Sequence, residues 1–558
     1  MTVRIDPRRW FSRKTVGKDA AAGLVLGVEA VPDGLAAGLL AGVNPLAGLY
    51  AYLFGMVGAA VFTSSAFMAV QATSAMALVV SDAGLDTTPD PDRALFTLAI
   101  LTGIVMVVAG LLRAGRLVAF VPTPVMTGFI TAIGVNIILG QLSNLTGYAA
   151  RGSNRLTKTF DVLLHIGQWS IASLVVGAIT ILIIVVLRPT RVGDLGLVVA
   201  VVAGSVCAAV LNLWVGDPAG QLRDIVDVPR GSPAPVLPSI ADVPALIVPA
   251  ISLAFIGLVQ GAAVSAGIPT VDGRPADANR DFIGQGAGNL VAGVFQGMPV
   301  GGSMSGSSII VQSGARTRLA LFVAGAVMAV VIFAASDLVA FVAMPALAGL
   351  LIVVGFGTIK PSRVYSVVKS GPLPTSIMAV TFGLTLIIPL QFAVLAGVGL
   401  GIILYVAQQS NHVRVRAVGL TADGRLRESD PPPVVPGGEV LVLQPYGDLF
   451  FASSPIFEKQ LPEVSRESRN AVVIVRLRGT DQIGLSLVDV LRRFARRLAD
   501  AGSSLKVVAT EDRVIDQLEA GGLVGDIGER NVYKGTEWVG DTLRRAHAEA
   551  QDEIDRRA

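Results

Sequence analysis

Long runs of apolar residues, separated by short polar segments, fill the chain from about Ala20 to Gln409. Because a helix needs about 20 apolar residues to cross the hydrocarbon core of a bilayer, these runs predict about fourteen membrane spans, several of them short or joined by a turn. The residues at which these spans are predicted to begin are Ala20, Pro45, Ser64, Ala94, Val118, Ser170, Leu195, Val243, Asp281, Val300, Arg318, Asp337, Leu373 and Gln391. We therefore expect an all-α membrane domain over residues 19–410.

The pattern changes in the last part of the chain. The segment DPPPVVPGG, which begins at Asp430, has the prolines and glycines of a linker, and we expect a linker over residues 411–438,. Short apolar runs that suit strands then alternate with helical stretches such as LSLVDVLRRFARRLADAG, from Leu485 to Gly502. Strands and helices that alternate at these lengths predict a small α/β domain over residues 439–550.

Two of the predicted spans are unusually short and polar. They are SSAFMAVQATSAMALVV, from Ser64 to Val80, and VGGSMSGSSIIV, from Val300 to Val311. One is the third span of the first half of the membrane domain, and the other is the third span of the second half. Short or glycine-interrupted segments at corresponding places are typical of transporters that are built from inverted repeats with helices broken near the middle of the membrane. We therefore predict an inverted repeat of seven plus seven spans.

The second short segment suits the binding of an anion. A helix that begins inside the bilayer exposes backbone N–H groups and the positive end of its dipole, and both favour a negatively charged ligand. Glycines let such a ligand come close, and serine hydroxyls donate hydrogen bonds to it. The residues concerned are Gly301, Gly302, Ser303, Ser305, Gly306 and Ser307. A helix-packing seam of small residues is the alternative, but it does not account for the matching break between Gln71 and Ala75.

Two acidic residues lie one helical turn apart in the first predicted span. Glu29 and Asp33 are four positions apart, which places both carboxylates on one face of a helix,. Ionised carboxylates are costly inside a membrane, and a proton or a sodium ion would relieve the repulsion between them. We expect Asp33, assisted by Glu29, to carry a coupling cation. In the alternative interpretation, Glu29 reaches the cytoplasmic interface and Asp33 forms a hydrogen bond with Gln260.

Composition narrows the class of protein. With 52% hydrophobic residues, 15% charged residues and a mean hydropathy of +0.66, the chain lies outside the range of soluble enzymes,. Its net charge of +3 comes without a basic patch interleaved with aromatic residues, so we expect no nucleic-acid partner,. The single cysteine, Cys207, has no His or Cys ligand near it in sequence, and we expect neither a metal site nor a cofactor,.

The distribution of basic residues predicts the orientation in the membrane. Arginine and lysine predominate on the loops that the span count places with the N-terminus, whereas the opposite loop SDAGLDTTPDPDR, from Ser81 to Arg93, is acidic. The positive-inside rule then puts both termini in the cytoplasm of a cell whose plasma or inner membrane holds the chain. Residues 1–18 have six basic residues and no cleavable signal pattern, which suits a cytoplasmic anchor,. Arg151, Arg155 and Lys158 fall on the predicted outer side, where a funnel for anions or a miscounted span would account for them.

Several stretches, in order along the chain, resemble the SulP (sulfate permease) family of anion transporters. The segment VPDGLAAGLLAGVNPLAGLY, from Val31 to Tyr50, is similar to the family's opening pattern, and ANRDFIGQGAGN, from Ala278 to Asn289, is similar to its Gly-Gln-Gly block. The segment GSMSGSSIIVQSGART, which begins at Gly302, resembles its tenth-helix block. The tail resembles a STAS domain, which is the family's cytoplasmic module. Together these stretches cover nearly the whole chain.

The resemblance implies a mechanism and a set of site residues. It implies a core domain and a gate domain, an anion held between the third and tenth helices, an elevator-like shift of the core domain, and a homodimer in the lipid bilayer. The substrate-binding residues that it implies are Thr73, Ser74, Gln260, Ser303, Met304, Ser305 and Gly306.

Two positions depart from the family's pattern. Many relatives have an acidic residue where this chain has Gln260, and they usually have glutamine where it has Asp33, so the acid and the amide are exchanged between the repeats. The position that is arginine in many animal members is Gly306, so no fixed cation faces the substrate there. In the tail, Ile483 lies in the turn where STAS domains that act as phosphorylation switches have Ser or Thr. We therefore expect support of the dimer, or docking of a cytoplasmic partner, rather than a switch at that turn.

These features predict a secondary active transporter of an inorganic anion, and not an enzyme. Sulfate or bicarbonate is the expected cargo, with a proton or a sodium ion as the coupling ion. A channel-like uniporter of chloride or another small anion is one alternative, because the exchanged acid could mean a loss of coupling. A membrane-tethered regulatory scaffold, in which the STAS domain binds partners, is another. A nucleobase transporter of the same architecture is disfavoured by the STAS-like tail and by the lack of acidic groups on both facing helices.

Overall fold

The computed structural model describes most of the chain as two compact units, Met1–Gly401 and Ile402–Ala558. The described residues are 15–115, 122–152, 154–190, 193, 195–214, 218–224, 233–267, 276–334, 339–389, 392–393, 396, 399–400, 403–404, 406–407, 410, 412–420, 425–536, 538 and 540–557. The predicted basic anchor, apart from residues 15–18, and the predicted span starts at Val118, Asp337 and Gln391 lie outside them.

In the described residues of the first unit, helices predominate and two short strands are present. Its elements, in chain order, are α1 (Val16–Ala41), α2 (Pro45–Phe62), β1 (Ala69–Gln71), α3 (Ser74–Ser81), α4 (Pro91–Leu111), α5 (Thr123–Thr146), α6 (Arg155–Leu164), α7 (Ile171–Leu187), α8 (Leu195–Leu211), α9 (Val243–Gly267), α10 (Ala278–Val294), β2 (Gly301–Ser303), α11 (Met304–Gln312), α12 (Leu319–Ala334), α13 (Met344–Thr358), α14 (Pro361–Lys369) and α15 (Pro372–Ile387).

The first two helices show how local sequence sets these bounds. Helix α1 continues through Pro32 and ends where Gly42 adopts the left-handed conformation that closes many helices,. The side chain of Asn44 then accepts a hydrogen bond from the backbone N–H of Leu46, and Pro45 occupies the first turn of α2, where a missing N–H costs nothing,. Within α2, residues Ala51–Gly55 form a π-helical turn.

The apolar helices agree with a multi-pass membrane domain. Among the described residues, six helical segments are at least 18 residues long and apolar enough to cross a bilayer, and four apolar helices are shorter. The count of fourteen spans stays a prediction.

The helices of the first unit form two bundles, and the division follows the same rule in each half of the chain. The first bundle consists of α1–α4 and α9–α12, with α1 packed on α12 and α10 packed on α2 and α4. The second bundle consists of α5–α8 and α13–α15, with α5 packed on α13 and α15. Each half therefore gives its first four segments to one bundle and its later segments to the other, as the predicted repeat with core and gate domains requires. The bundles meet where α1 contacts α8 and α13 and where α3 contacts α5.

The second unit is an α/β domain with one mixed sheet. Its elements are β3 (Arg414–Leu420), β4 (Leu426–Ser429), β5 (Val440–Tyr446), α16 (Ser454–Gln460), β6 (Val472–Leu477), α17 (Leu485–Asp500), β7 (Ser504–Ala509), α18 (Asp512–Ala520), α19 (Leu523–Ile527), β8 (Val532–Lys534) and α20 (Asp541–Arg557). The strand order is β4-β3-β5-β6-β7-β8, parallel from β5 to β8 and antiparallel at β3 and β4. Helix α17 buries one face, with Leu487, Leu491, Phe494 and Leu498 at helical spacing against the sheet,.

The predicted linker over residues 411–438 is wrong for much of its length. Residues Arg414–Leu420 and Leu426–Ser429 are strands, and residue Val435 is fully buried with its N–H bonded to the carbonyl oxygen of Glu463 at 2.9 Å. The hydrophobic pattern missed β4 because it is an edge strand of exposed, charged residues, a composition that protects an edge from pairing with other chains,. The domain also continues past the predicted end at residue 550, because α20 extends to Arg557 and buries Ile554.

Candidate functional site

The two short polar segments lie side by side and form broken helices, as the sequence predicts. Strands β1 and β2 pair in antiparallel fashion, with Val70 opposite Gly302 and Gln71 opposite Gly301. Each strand leads into a short helix, α3 after β1 and α11 after β2. Because the strands are antiparallel, the two half-helices point away from a shared centre with their N-termini facing it. Their dipoles therefore contribute positive potential to the same place.

Each half-helix is capped by one of the predicted site residues. Thr73 precedes α3 and its Oγ1 accepts a hydrogen bond from the N–H of Met76 at 3.4 Å, while the Ser303 Oγ accepts one from the N–H of Gly306 at 3.2 Å. A cap of this kind takes up the third amide of a helix and leaves the earlier amides without an acceptor inside the helix. Those earlier amides belong to predicted site residues, Ser74 in α3 and Met304 and Ser305 in α11.

Gln260 of α9 connects the two half-helices. Its Oε1 accepts a hydrogen bond from Thr73 Oγ1 at 3.1 Å. The same oxygen lies close to Gly301, where a Cβ atom would come within 3.2 Å of it. The structure thus brings together the predicted residues Thr73, Gln260 and Ser303 around one centre.

The predicted residues also differ in accessibility. Met304 is 42% exposed and Ser305 is exposed as well, whereas Ser303 and Gly306 are buried. Thr73, Ser74, Gln260 and Asp33 are partly exposed among fully buried neighbours such as Met76. The side chains of Met304 and Ser305, in the first turn of α11, are therefore exposed rather than packed in the protein core.

Gly306 lies against a side chain that sequence reasoning did not select. A Cβ atom at this position would meet Gln71 Oε1 at 2.8 Å and Gln71 Nε2 at 3.0 Å. Gln71 is buried and its Nε2 donates a hydrogen bond to Ser303 Oγ at 3.2 Å. Ser303 Oγ also lies 3.1 Å from Ser305 Oγ, so Gln71 and the two serines form one hydrogen-bonded group.

Two amide side chains of α10 hold the strand that leads to α11. Gln285 Oε1 accepts a hydrogen bond from the N–H of Gly302 at 2.9 Å. Asn289 accepts one from the N–H of Val300 at 2.9 Å and donates one to the carbonyl oxygen of the same residue at 2.7 Å. These roles were not predicted, although the spacing of four residues in the Gly-Gln-Gly block places both amides on one face of a helix.

The acidic residues of α1 form a second polar group beside the half-helices. Asp33 Oδ2 accepts a hydrogen bond from the hydroxyl of Tyr52, and that hydroxyl lies 3.1 Å from the carbonyl oxygen of Ala72. Glu29 is 4% exposed, so it does not reach the cytoplasmic interface. In the described structure Asp33 is bonded to Tyr52 and Gln260 to Thr73, which does not agree with the alternative in which Asp33 bonds Gln260.

Of the basic residues Arg151, Arg155 and Lys158, which are predicted on the outer side, Arg155 has partners within the protein. Arg155 forms an ion pair with Asp82 at 2.8 Å and donates a hydrogen bond to the carbonyl oxygen of Leu78 at 3.3 Å. Both partners lie at the C-terminal end of α3. Arg155 therefore stabilises the negative end of that half-helix dipole, which weakens its case as part of an anion funnel.

No metal centre is evident in the part of the chain that the structure describes. Within it, no group of three or more His, Cys, Asp or Glu side chains is placed to hold a metal ion. The polar groups that converge on the centre are amides and hydroxyls, and the Asp33 carboxylate lies beside it. They suit a small ligand that accepts hydrogen bonds from several directions.

Comparison with known proteins places this architecture in one class. The model of the sulfate permease family matches residues 17–381, and the model of the STAS domain matches residues 432–544. The putative sulfate transporter YbaR of Bacillus subtilis is 29% identical over 454 residues, which are 80% of this chain and 84% of that protein. The bicarbonate transporter BicA of Picosynechococcus is 29% identical over 412 residues, which are 71% of each chain. A solved structure of SLC26A9 has a TM-score of 0.83 at 18% identity and covers 99% of this chain and 92% of that one.

The fold and the site define a multi-pass membrane protein of a transporter class with a C-terminal STAS domain. The chain belongs to the sulfate permease family, because the family model matches well over half of it. The resemblance seen in the sequence is thereby confirmed, and so are the helical membrane domain and the STAS domain that it implied.

Proposed function

We propose that this protein is a secondary active transporter of an inorganic anion, with sulfate or bicarbonate as the cargo. The observation that carries the proposal is the pairing of β1 with β2, which directs the N-termini of two half-helices at one centre inside the membrane domain. The names of similar proteins, a putative sulfate transporter and a bicarbonate transporter, support these two anions.

The site would recognise charge and size. The free amides of the first turns of α3 and α11, with the hydroxyls of Ser74 and Ser305, would donate hydrogen bonds to the oxygen atoms of the anion. With Gly306 packed against Gln71, the tenth-helix position where animal relatives have arginine supplies no fixed cation. An anion held by dipoles and amides is bound less tightly than one paired with a charged side chain, which suits its release after transport.

Movement of one bundle would carry the site across the membrane. The hydrogen-bonded residues of the centre all belong to the first bundle: Asp33 to α1, Tyr52 to α2, Thr73 to the start of α3, Gln260 to α9, Gln285 to α10 and Ser303 to the start of α11. An elevator-like shift of this bundle against the second one would therefore move the site as a unit without breaking its contacts.

The remaining features of the proposal concern coupling and assembly. Asp33, with Glu29 one turn away, would carry the coupling proton or sodium ion, because both carboxylates lie inside the membrane domain beside the anion centre,. We further propose a homodimer in the plasma or inner membrane with both termini in the cytoplasm. The STAS domain would support the dimer or bind a cytoplasmic partner, and burial of Ile483 at 2% exposure fits the absence of a phosphorylation switch at that turn.

Transport in proteoliposomes tests the proposal. Purified full-length protein should accumulate labelled sulfate or labelled bicarbonate above its equilibrium level when an inward proton or sodium gradient is imposed. Ser305→Ala should raise the KM for the anion by about fivefold, because one hydroxyl donor contributes about 1 kcal/mol to binding. Ser313→Ala, at the other end of α11, is the matched control and should leave the KM unchanged. Flux that only equilibrates the anion would favour a channel-like uniporter, and no flux of either anion would favour a regulatory scaffold.

A further inference from the structure

A tyrosine hydroxyl lies between the carboxylate of Asp33 and the backbone that leads into α3. The Tyr52 hydroxyl is bonded to Asp33 Oδ2, and it lies 3.1 Å from the carbonyl oxygen of Ala72. Tyr52 is fully buried and Ala72 is 3% exposed, so water does not compete for the tyrosine hydroxyl or for the carbonyl oxygen of Ala72. Ala72 immediately precedes Thr73, the cap of α3 and the partner of Gln260. One side chain thus touches both the acidic group and the anion centre.

Two features of the fold position the Tyr52 hydroxyl. Tyr52 lies in the π-helical turn Ala51–Gly55 of α2. Such turns are rare overall, but those that occur are often found at functional sites. Helices α1 and α2 also approach closely through glycines, because a Cβ atom on Gly48 would lie 1.9 Å from the carbonyl oxygen of Gly34. Any side chain at Gly48 would push α2 away and move the tyrosine out of reach of Asp33.

The hydroxyl has a single hydrogen and can donate it to only one acceptor at a time. An ionised Asp33 is an acceptor only, so it takes the hydrogen bond from Tyr52. When a proton from solution binds the carboxylate, the new O–H group of Asp33 can donate to the tyrosine oxygen, and the Tyr52 hydrogen is then free to turn to the carbonyl oxygen of Ala72. Tyr52 keeps its own proton throughout, and the carboxyl O–H is the only covalent bond formed.

We propose that Tyr52 transmits the protonation state of Asp33 to the anion centre, so that binding of a proton strengthens binding of the anion. A hydrogen bond to the Ala72 carbonyl would hold the peptide that positions Thr73 and, through it, Gln260. This inference rests on the coupling role proposed for Asp33, and it selects the proton as the coupling ion. Among the described residues, Glu29 is the other carboxylate that faces Tyr52, and Gln71 is a neutral neighbour.

The test measures how the KM for labelled sulfate, and for labelled bicarbonate, changes with pH in sodium-free proteoliposomes. The wild-type KM should fall as the pH is lowered from about 8 to about 6.5. Tyr52→Phe removes only the hydroxyl, so its KM should stay at the high-pH value, about three- to tenfold above that of the wild type at the lower pH. Tyr50→Phe is the matched control, because Tyr50 is also buried on α2 and its hydroxyl takes no part in these hydrogen bonds.

A second variant keeps the test independent of how well Tyr52→Phe folds. The amide of Asp33→Asn can donate to the tyrosine oxygen as a protonated carboxyl does, so this variant should have a low KM that does not depend on pH. Adding Tyr52→Phe to it should raise the KM at every pH. If the wild-type KM does not depend on pH for either anion, the coupling role of Asp33 is refuted, and so is the role of Tyr52. If the KM of the wild type and that of Tyr52→Phe depend on pH equally, the coupling role of Asp33 is retained and only the role of Tyr52 is refuted.

Discussion

At the scale of single residues, the centre depends on close contacts between small and amide-bearing side chains. Gly306 lies where a larger residue would displace Gln71, and Gln71 in turn holds the Ser303 hydroxyl. Since Gln71 is 1% exposed, it has little room to move. The absence of a side chain at position 306 is therefore part of the hydrogen-bonding arrangement.

This packing makes a prediction about a small substitution. Gly306→Ala places a methyl group 2.8 Å from Gln71 Oε1 and 3.1 Å from the Cβ of Ala69, so Gln71 must shift and its bond to Ser303 weakens. We expect the KM for the anion to rise by about fivefold, which corresponds to roughly 1 kcal/mol for one hydrogen bond. The control is Gly383→Ala in α15, where a Cβ atom meets nothing within 4 Å. Equal KM values for the two variants would contradict this account of Gly306.

At the scale of elements, a buried carboxylate holds the chain that leads into β1. Asp281, in the first turn of α10, is 1% exposed and accepts hydrogen bonds from Ser64, Ser65 and Ser265. The distances to the N–H groups of Ser64 and Ser65 are 2.6 and 2.8 Å, and those to the three hydroxyls are 2.8, 2.6 and 2.7 Å. Asp19 of α1 similarly accepts bonds from the N–H groups of Arg316 and Thr317, just after α11. The segment before β1 and the segment after α11 are thus fixed by carboxylates of neighbouring helices.

Removing one of these carboxylates should destabilise the membrane domain. Asp281→Ala leaves the donors of buried Ser65 and of partly buried Ser64 and Ser265 without this acceptor, and we expect a loss of about 3 kcal/mol in the free energy of unfolding,. Thermal unfolding of the purified protein in detergent would show it as a lowered Tm. Asp86→Ala, at an exposed position, should leave the Tm unchanged. A Tm for Asp281→Ala equal to that of the wild type would mean that the serines find other partners.

At the scale of the whole molecule, the chain consists of two units, a membrane domain and an α/β domain, and each has its own apolar core. The α/β unit has its own apolar core on each face of the sheet, and α20 covers one face with Leu543, Ala546, Ala550 and Ile554. A buried lysine strengthens this contact, because Lys506 Nζ lies 3.1 Å from Glu553 Oε2 and 2.8 Å from Asn531 Oδ1. Burial alone would raise the pKa of Glu553, but the hydrogen bonds from Ser504 and Lys506, together with the positive charges of Lys506 and Arg557, outweigh it and hold the pKa below its usual value.

The residue bounds of the α/β domain lead to a prediction about the stability of its fragments. A fragment of residues 412–557 should be soluble, monodisperse and cooperatively folded. The fragment 439–550, which the sequence pattern suggests, lacks the edge strand β4, its neighbour β3, and also Glu553 and Ile554. It therefore exposes one edge of β5 and leaves Lys506 without its carboxylate, and we expect it to aggregate or to melt at a much lower temperature. Circular dichroism melts and size-exclusion chromatography of both fragments measure this, and equal stability would show that β3, β4 and the end of α20 are dispensable.

The sequence by itself determined the features that depend on local pattern. Runs of apolar residues located the membrane domain, and the short polar segments located both half-helices. These were readable because the length of an apolar run, and its interruption by small polar residues, involve residues close together in the chain. The alternation of strands and helices located most of the STAS domain in the same way.

Only the tertiary structure decided which distant residues meet. The pairing of β1 with β2, the bond from Tyr52 to Asp33, and the hold of Gln285 and Asn289 on residues 300–302 join segments up to about 230 positions apart, and no local period encodes such contacts,. The strand β4 was missed for a related reason, since an exposed edge strand gains its stability from the backbone of its neighbour rather than from its own apolar side chains,. The local sequence thus determined where the two helices are interrupted, and tertiary packing determined which residues lie opposite the interruptions.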